Sequence, residues 1–342
     1  MINQPSKFMR TKSAVLRAWQ HVEISVSQLL FVLLILSWWI ILPANNVYAH
    51  DFHSNKQTAI NQVGSANHGE SLSYHETRLT LDSEIENKHY VKYLGNEALF
   101  IHVANSKLLF DPFFHDNIQI YRLVPETIKT NIFNGKAPFN DIDLILISHA
   151  HRDHFAVDEV VNYLLRFEKT KLVAPQQAID KINAHLNKLN KPFAQERLIP
   201  VKLNFGDQPW QLAIGNFIID AVRIPHAGWP SRADVENMVF RVTLNHASTG
   251  SANTSATVMH MGDADPDDAH FLPYKRFWQQ KKTDVNFPPY WFLFSAEGRD
   301  ILDSIIGAKA NIGVHVPMEV PKQLQKSGRD YFSTPGEIKS LK

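Results

Sequence analysis

Residues 147–155 read ISHAHRDHF, placing His149, His151, Asp153 and His154 within six positions, directly after the apolar run DLILI. On an extended segment His149 and His151 face the same way, because successive side chains alternate. Imidazoles and carboxylates at this density suit zinc, iron or manganese. Three later residues stand where an apolar run stops: His226 in IPHAGW, Asp263 in MGDAD and His315 in GVHVP. Strand ends that converge on one sheet edge would bring all of them together, since ligating residues gather at the ends of strands. The plain alternative is a polar surface loop that happens to hold histidines. Twelve of the 17 histidines lie outside this constellation, so it is the H-x-H-x-D-H unit and its followers, rather than histidine content, that point to a metal.

The elements that must position these residues can be read from periodicity. From residue 88, KHYVKYLGNEALFIHVANSKLLFDPFF alternates apolar and polar residues with turn signals at Gly95-Asn96 and Asn105-Ser106, which predicts two or three antiparallel strands ending at Asp111-Pro112. Residues 141–148 form a short apolar run of the kind found in a buried strand. Helical spacing over 157–169, a strand at 171–175 and a helix over 176–190 follow. Strands are then expected at 217–225, 238–244 and 256–264, the last two joined by the small-polar loop NHASTGSANTS. A helix near 297–308 and a strand over 311–317 complete the set, and Thr334, Pro335 and Glu337 are placed like a capping box that opens a further helix. No short fixed-period repeat or long internal linker interrupts 88–320. Residues 88–342 read as one domain, with strands inside and helices outside.

The chain has 342 residues, 44% hydrophobic and 20% charged, which is enough for a substantial core and excludes a disordered or collagen-like chain. There is no cysteine, so neither a thiolate nucleophile nor a thiolate ligand is available, and any metal must be held by histidine and carboxylate. Residues 1–49 read as a separate targeting segment. Lys7, Arg10, Lys12 and Arg17 precede the 14-residue apolar run 29–42, and Val47-Tyr48-Ala49 resembles a cleavage site. The run is short for a membrane span, which needs about 20 residues, so a signal peptide cleaved after Ala49 is expected, with an uncleaved anchor as the alternative. The expected location is therefore exported, periplasmic or secreted. Residues 50–87 are polar and weakly periodic and read as a tail or linker, although His50, His53, His68 and His75 would let such a tail gather metal. Without residues 1–49 the formal charge moves from +1 to −2, which leaves no electrostatic footprint for nucleic acid.

The order of these motifs resembles the metallo-β-lactamase superfamily of hydrolases: a strand-end Asp111, then H-x-H-x-D-H, then single His, Asp and His residues, across roughly 90–320. The resemblance implies an α+β fold, a four-layer αβ/βα sandwich of two mixed sheets with helices outside. It also implies two divalent ions, usually zinc, with manganese or iron as alternatives. On that pattern His149, His151 and His226 would hold one ion, Asp153, His154 and His315 the other, and Asp263 would bridge them. Asp111 would orient the H-x-H-x-D-H loop through hydrogen bonds. The chemistry implied is hydrolysis by a metal-activated hydroxide, oriented by Asp153 as the catalytic carboxylate.

Within the superfamily, YLGNEALFIHVANSKLLFDPFF, TDVNFPPYW and IGVHVP look like the branch that contains ascorbate-6-phosphate lactonase and N-acyl-phosphatidylethanolamine phospholipase D, except that Asn96 stands where that branch often has histidine. HAGWPSR (226–232) resembles the His, Trp, Ser, Arg sequence of the phospholipase D-like relatives, which makes Arg232 and Trp229 candidates for substrate contact. Arg232 could neutralise a phosphate or carboxylate. His115 is a weaker candidate for the site mouth, Tyr290 and Trp291 could wall it, and His260 reads as a packing residue. The reaction expected is cleavage of an ester, lactone or phosphodiester in a small or lipid-derived substrate. The alternative of another class is a metal-binding protein without catalysis.

Overall fold

The computed structural model describes residues 89–246 and 254–341. The expected signal or anchor segment 1–49 and all of the tail 50–87 lie outside the described residues, as does much of the loop between the two strands at 238–264. Two seven-stranded mixed sheets face each other. The first is built from β1 (Tyr90–Gly95), β2 (Ala98–Val103), β3 (Ser106–Phe110), β4 (Leu144–Leu146), β5 (Lys171–Pro175), β6 (Leu198–Val201) and β14 (Ile338–Ser340), in the order β14-β1-β2-β3-β4-β5-β6. The second is built from β7 (Trp210–Ile214), β8 (Phe217–Arg223), β9 (Met238–His246), β10 (Thr254–His260), β11 (Val285–Phe287), β12 (Ala310–Gly313) and β13 (Asp330–Tyr331), in the order β13-β12-β11-β10-β9-β8-β7.

Alternation within the strands sorts side chains into layers. In β2, Leu99 and Ile101 enter the core between the sheets, together with Phe240, Val242 and Val258 from the second sheet. Ala98 and Phe100 point the other way, to the helices. In β4, Leu144 and Leu146 face inward while Ile145 faces the helices. Both faces of β4 are therefore apolar, which is why its sequence reads as an unbroken apolar run. The outer layer on this side is α1 (Glu126–Phe133), α2 (Val157–Arg166) and α3 (Gln176–Leu189). Helix α2 buries Val160, Val161 and Leu164 on one stripe, and Asp158, Glu159 in its first turn and Arg166 in its last complement the helix dipole. Helix α3 buries Ala178, Ile179, Ile182 and Leu186 and ends at Asn190 in the left-handed conformation.

The second sheet is covered by α4 (Asp268–Phe271), α5 (Lys275–Gln280), α6 (Ala296–Asp300, continued by a π-helical turn Ile301–Ile306) and α7 (Lys322–Lys326). Phe271, Trp278, Ile301, Leu302, Ile305 and Leu324 pack there against Val222, Val239 and Met259. The four-layer sandwich expected from the sequence is thus observed. Among the described residues no helix is long and apolar enough to cross a membrane.

One expected element is absent. The capping-box pattern at Ser333–Glu337 opens no helix. Glu337 Oε1 does accept from the amides of Ser333 (3.2 Å) and Thr334 (2.5 Å), but Gly336 turns the chain at φ 101°. Gly336 N then donates to Tyr93 O and Tyr93 N to Glu337 O, and residues 338–340 continue as β14 along the open edge of β1. The unpaired edge of β1 offers a full ladder of partners, and these outweigh the local capping preference.

Candidate metal centre

The ends of β3, β4, β8, β10 and β12 open onto one rim of the sandwich, and the chain just beyond each carries Asp111, His149, His226, Asp263 and His315 in turn. The helical turns that follow β4 bring His151, Asp153 and His154 back over the same rim, where the amides of His154 and Phe155 donate to His151 O. Backbone irregularity concentrates at this rim. Asn96, Asp111 and His315 have φ of 45°, 42° and 58°, a conformation costly for residues with a side chain and typical of functional sites. Gly262 has φ 52°, and a Cβ there would lie 2.4 Å from Asn237 Oδ1, so only glycine lets the chain turn into Asp263.

Two sets of side chains converge, with their ligand atoms close together in each: His149, His151, His226 and Asp263, and Asp153, His154, Asp263 and His315. Asp263 belongs to both, and its two oxygens divide between them. Oδ2 lies 3.2 Å from His226 Nε2 and 3.8 Å from His149 Nε2. Oδ1 lies 3.0 Å from His315 Nε2 and 3.4 Å from His154 Nε2. Asp153 Oδ2 closes the second set, at 3.6 Å from His154 Nε2 and 3.7 Å from His315 Nε2.

The remaining ring nitrogens are tied to the protein, and this assigns the tautomers. His226 Nδ1–H donates to Ala227 O at 2.7 Å. His154 Nδ1–H donates to Asp111 Oδ2 at 3.0 Å. His149 Nδ1–H donates to Ser148 Oγ at 3.0 Å, and Ser148 Oγ–H in turn donates to Asp111 Oδ2 at 2.5 Å. In the neutral form of each of these rings Nε2 is left bare and faces the cluster. His149 Nε2 and His151 Nδ1 are 3.1 Å apart, and His154 Nε2 and His315 Nε2 are 3.3 Å apart. Two donors on one tetrahedral ion at bond lengths of about 2.0–2.1 Å stand about 3.4 Å apart, so these spacings suit shared cations. Buried His226 Nε2 and Asp263 Oδ1 have no hydrogen-bond partner among the described residues, which is costly unless an ion takes them. The residues present therefore fit two divalent ions of the zinc, iron or manganese type.

The electrostatics match at His149, His151 and Asp263; at His154 burial opposes charge, but Asp263 and the hydrogen bond to Asp111 outweigh it and hold the ring well above its usual range, so an ion taking its Nε2 must displace a proton. Burial first, and the neighbouring His154 second, hold His149 well below the usual imidazole range. Burial and His226 push His151 down to about 4. Burial opposes charge on Asp263, but His315 and His154 outweigh it and hold the carboxyl well below its usual range. Near neutral pH these two imidazoles are neutral and the shared carboxylate is ionised, the states that bind metal.

A supporting layer holds the ligands in place. Asp111, fully buried, accepts from Ser148 N (2.7 Å), Ser148 Oγ and His154 Nδ1. Asn96 Nδ2 donates to Asp153 O and Asn96 O accepts from His315 N, so this residue ties two ligand segments together. Asn237 Nδ2 donates to Ile224 O and Met261 O while its Oδ1 accepts from Asp263 N, joining the ends of β8 and β10. Sequence reading passed over Asn237, Ser148 and Tyr121. Tyr121 packs edge-on against the His315 ring with centroids 4.0 Å apart, and burial pushes its hydroxyl far above the ordinary tyrosine range. A polar residue just before an apolar run was the available signal for Asn237.

A cavity of about 810 Å³ lies over the two sets, lined among others by Ile118, Ile120, Tyr121, Lys181, Arg232 and Trp291. Arg232 Nη1 stands 3.4 Å from His226 Nδ1, which places the guanidinium beside the first set. Trp229 is not among the lining residues. Trp229 is 40% exposed, and its ring packs against Phe205 and His270. His115 also lies outside, paired with Asp158 at 3.0 Å on the surface. His260 is fully buried, stacked on Phe110 and bonded to Glu97 O, as its sequence context suggested. Trp291 does wall the cavity, with its Nε1–H donating to Ala264 O.

Fold and site together define a metal-dependent hydrolase of the αββα sandwich class. The family model described as "Beta-lactamase superfamily domain" matches residues 90–289, and the chain belongs to this family, the metallo-β-lactamase superfamily. Among solved structures, the metallo-β-lactamase fold protein YhfI from Bacillus subtilis is 16% identical, over 74% of this chain and 98% of its own, with a TM-score of 0.47. Igni18, a metallo hydrolase from Ignicoccus hospitalis, is 15% identical over 75% of this chain and 99% of its own, with a TM-score of 0.46. The diiron β-hydroxylase CmlA from Streptomyces venezuelae is 12% identical over 74% of this chain and 54% of its own, with a TM-score of 0.42. No curated protein sequence matches this one.

Proposed function

We propose that the chain is an exported hydrolase that uses two divalent ions, zinc in the first instance, to cleave an anionic ester, lactone or phosphodiester. The observation that carries this reading is the division of Asp263, one oxygen toward His149, His151 and His226 and the other toward Asp153, His154 and His315. When bound, two such ions supply a water of near-neutral pKa and polarise the carbonyl or phosphoryl oxygen under attack. The protein supplies the rest. Asp153, 5% exposed and lining the cavity, would accept a proton from the attacking water and orient it. Arg232 brings positive charge to the cavity beside His226 and would hold the substrate's anionic group.

The cavity lining also carries Ile118 and Ile120, 54% and 46% exposed, with Tyr121 and Trp291. Apolar side chains lining the same cavity as Arg232 favour a substrate with an apolar group next to its anion, such as a lipid-derived phosphodiester, over a small polar lactone. Export through residues 1–49 belongs to the same proposal and is tested by the N-terminal mass of the protein recovered from outside the cytoplasm. The activity is tested by turnover of zinc-loaded protein on matched phosphodiester, ester and lactone panels, each with short and long apolar substituents. Turnover that rises with apolar chain length on anionic substrates is expected. Bound metal with no turnover on any panel would leave a metal-binding protein without catalysis.

A further inference from the structure

A second group of ligating residues lies just past Asp263, in the stretch GDADPDDAH (262–270). Asp265, Asp267 and His270 present one ligand atom each within 4.8 Å of one another. His270 is 5% exposed, and its Nδ1 has no hydrogen-bond partner among the described residues. That nitrogen faces Asp265 Oδ1 at 3.6 Å, too long for a hydrogen bond but close to the roughly 3.4 Å between two donors on one tetrahedral ion. The other acceptors are already used in ways that leave these atoms available. Asp265 Oδ2 accepts from Gly228 N at 3.2 Å, and Asp267 Oδ1 caps α4 through Ala269 N at 2.9 Å.

We propose that Asp265, Asp267 and His270 form a third divalent-cation site, separate from the pair of ions that share Asp263. One imidazole with two carboxylates suits zinc, manganese or iron better than calcium or magnesium, which prefer oxygen alone. Asp267 is exposed, so solvent completes the coordination from that side. The site has a structural task that follows from its neighbours. Asp265 N donates to Pro225 O, Ala227 N donates to Asp263 O, and Gly228 N donates to Asp265, so this loop is stitched to the segment that carries His226. The His270 ring in turn packs against Trp229 and Phe205. An ion held by Asp265 and His270 fastens both sides of that seam, and with it the segment 225–232 from His226 to Arg232.

The test counts ions on the full chain. Protein saturated with zinc or with manganese is freed of loose metal, and its content is read by elemental mass spectrometry in wild type, Asp267→Asn and His270→Gln. Asp267→Asn keeps an oxygen to cap α4 and alters an exposed residue, so it tests the site without endangering the fold. Each variant is expected to hold one ion fewer than wild type, whatever the wild-type total. Amide hydrogen exchange over 225–232 is expected to slow when wild type takes up its last equivalent and to show no such step in Asp267→Asn. Equal metal content in wild type and both variants, with the same exchange over 225–232, would overturn the proposal.

Discussion

The Asp111–Ser148 relay makes a prediction that separates the two halves of the metal centre. Asp111 Oδ2 accepts hydrogen bonds from both Ser148 Oγ and His154 Nδ1, and Ser148 Oγ accepts one from His149 Nδ1. One carboxylate therefore fixes the tautomer of a histidine in each set. In Asp111→Asn, an amide nitrogen replaces one acceptor oxygen. With the amide oxygen on Ser148 N, the amide group can no longer accept from His154 Nδ1, and Ser148 Oγ is released to donate to His149 Nδ1 instead. Both rings are then driven to carry hydrogen on the nitrogen that faces the cluster. Losing such a support typically weakens metal binding about 10–100-fold, or about 1.4–2.8 kcal/mol per ion. Ser148→Ala removes only the acceptor for His149 and leaves His154 on Asp111. Competitive titration against a chromophoric chelator resolves the two equivalents. Asp111→Asn should weaken both, and Ser148→Ala only one. Wild-type affinity for both ions in Asp111→Asn, or equal weakening of both in Ser148→Ala, would refute the relay.

Asn237→Ala strips the partners from Ile224 O, Met261 O and Asp263 N, all buried, and at about 1–3 kcal/mol for an unsatisfied group should lower stability by about 3 kcal/mol or more in urea unfolding, with loss of metal. A change under about 1 kcal/mol with metal retained would remove Asn237 from the framework. Arg232→Ala should raise KM for anionic substrates about tenfold, the scale of one charge-assisted contact, with little effect on neutral ones; equal effects on both would remove Arg232 from substrate binding. In metal-free protein, NMR titration of His151 should give a midpoint of about 4, because burial and His226 disfavour its charge. Its folded pKa lies below the unfolded value, so the unfolded chain takes the proton first and this group costs stability as pH falls from about 6.5 toward 4; a midpoint near 6.5 would contradict the burial of this ring.

Much of the site was legible in the sequence because its chemistry is dense and its positions are marked. H-x-H-x-D-H is compact, and His226, Asp263 and His315 follow apolar runs that become β8, β10 and β12. The sandwich was legible for a related reason: strands such as β4, apolar on both faces, have few other places to go. What the sequence hid was set by long-range contact. Glu337 makes the local bonds of a helix cap, yet its segment becomes a strand because β1 has an open edge some 240 residues earlier. Trp229 sits three residues from Arg232 but turns out of the cavity onto Phe205, a partner that spacing does not indicate. Asn237 and Ser148 carry no motif, and their importance lies in what they join across the fold. Tyr121 meets His315 from nearly 200 residues away. The strained Ile118 and Gln119, with φ of 49° and 60°, sit in the loop that supplies apolar side chains to the cavity lining, where no periodicity announces them.

The central claim is that Asp263 is shared by two ions. Anomalous diffraction from crystals of the zinc-loaded protein tests it directly. Two peaks are predicted on either side of the Asp263 carboxylate, about 3.5–4 Å apart as in other two-metal sites, one bonded to His149, His151 and His226 and the other to Asp153, His154 and His315. A single peak at this carboxylate, or no peak within bonding distance of it, would contradict the account.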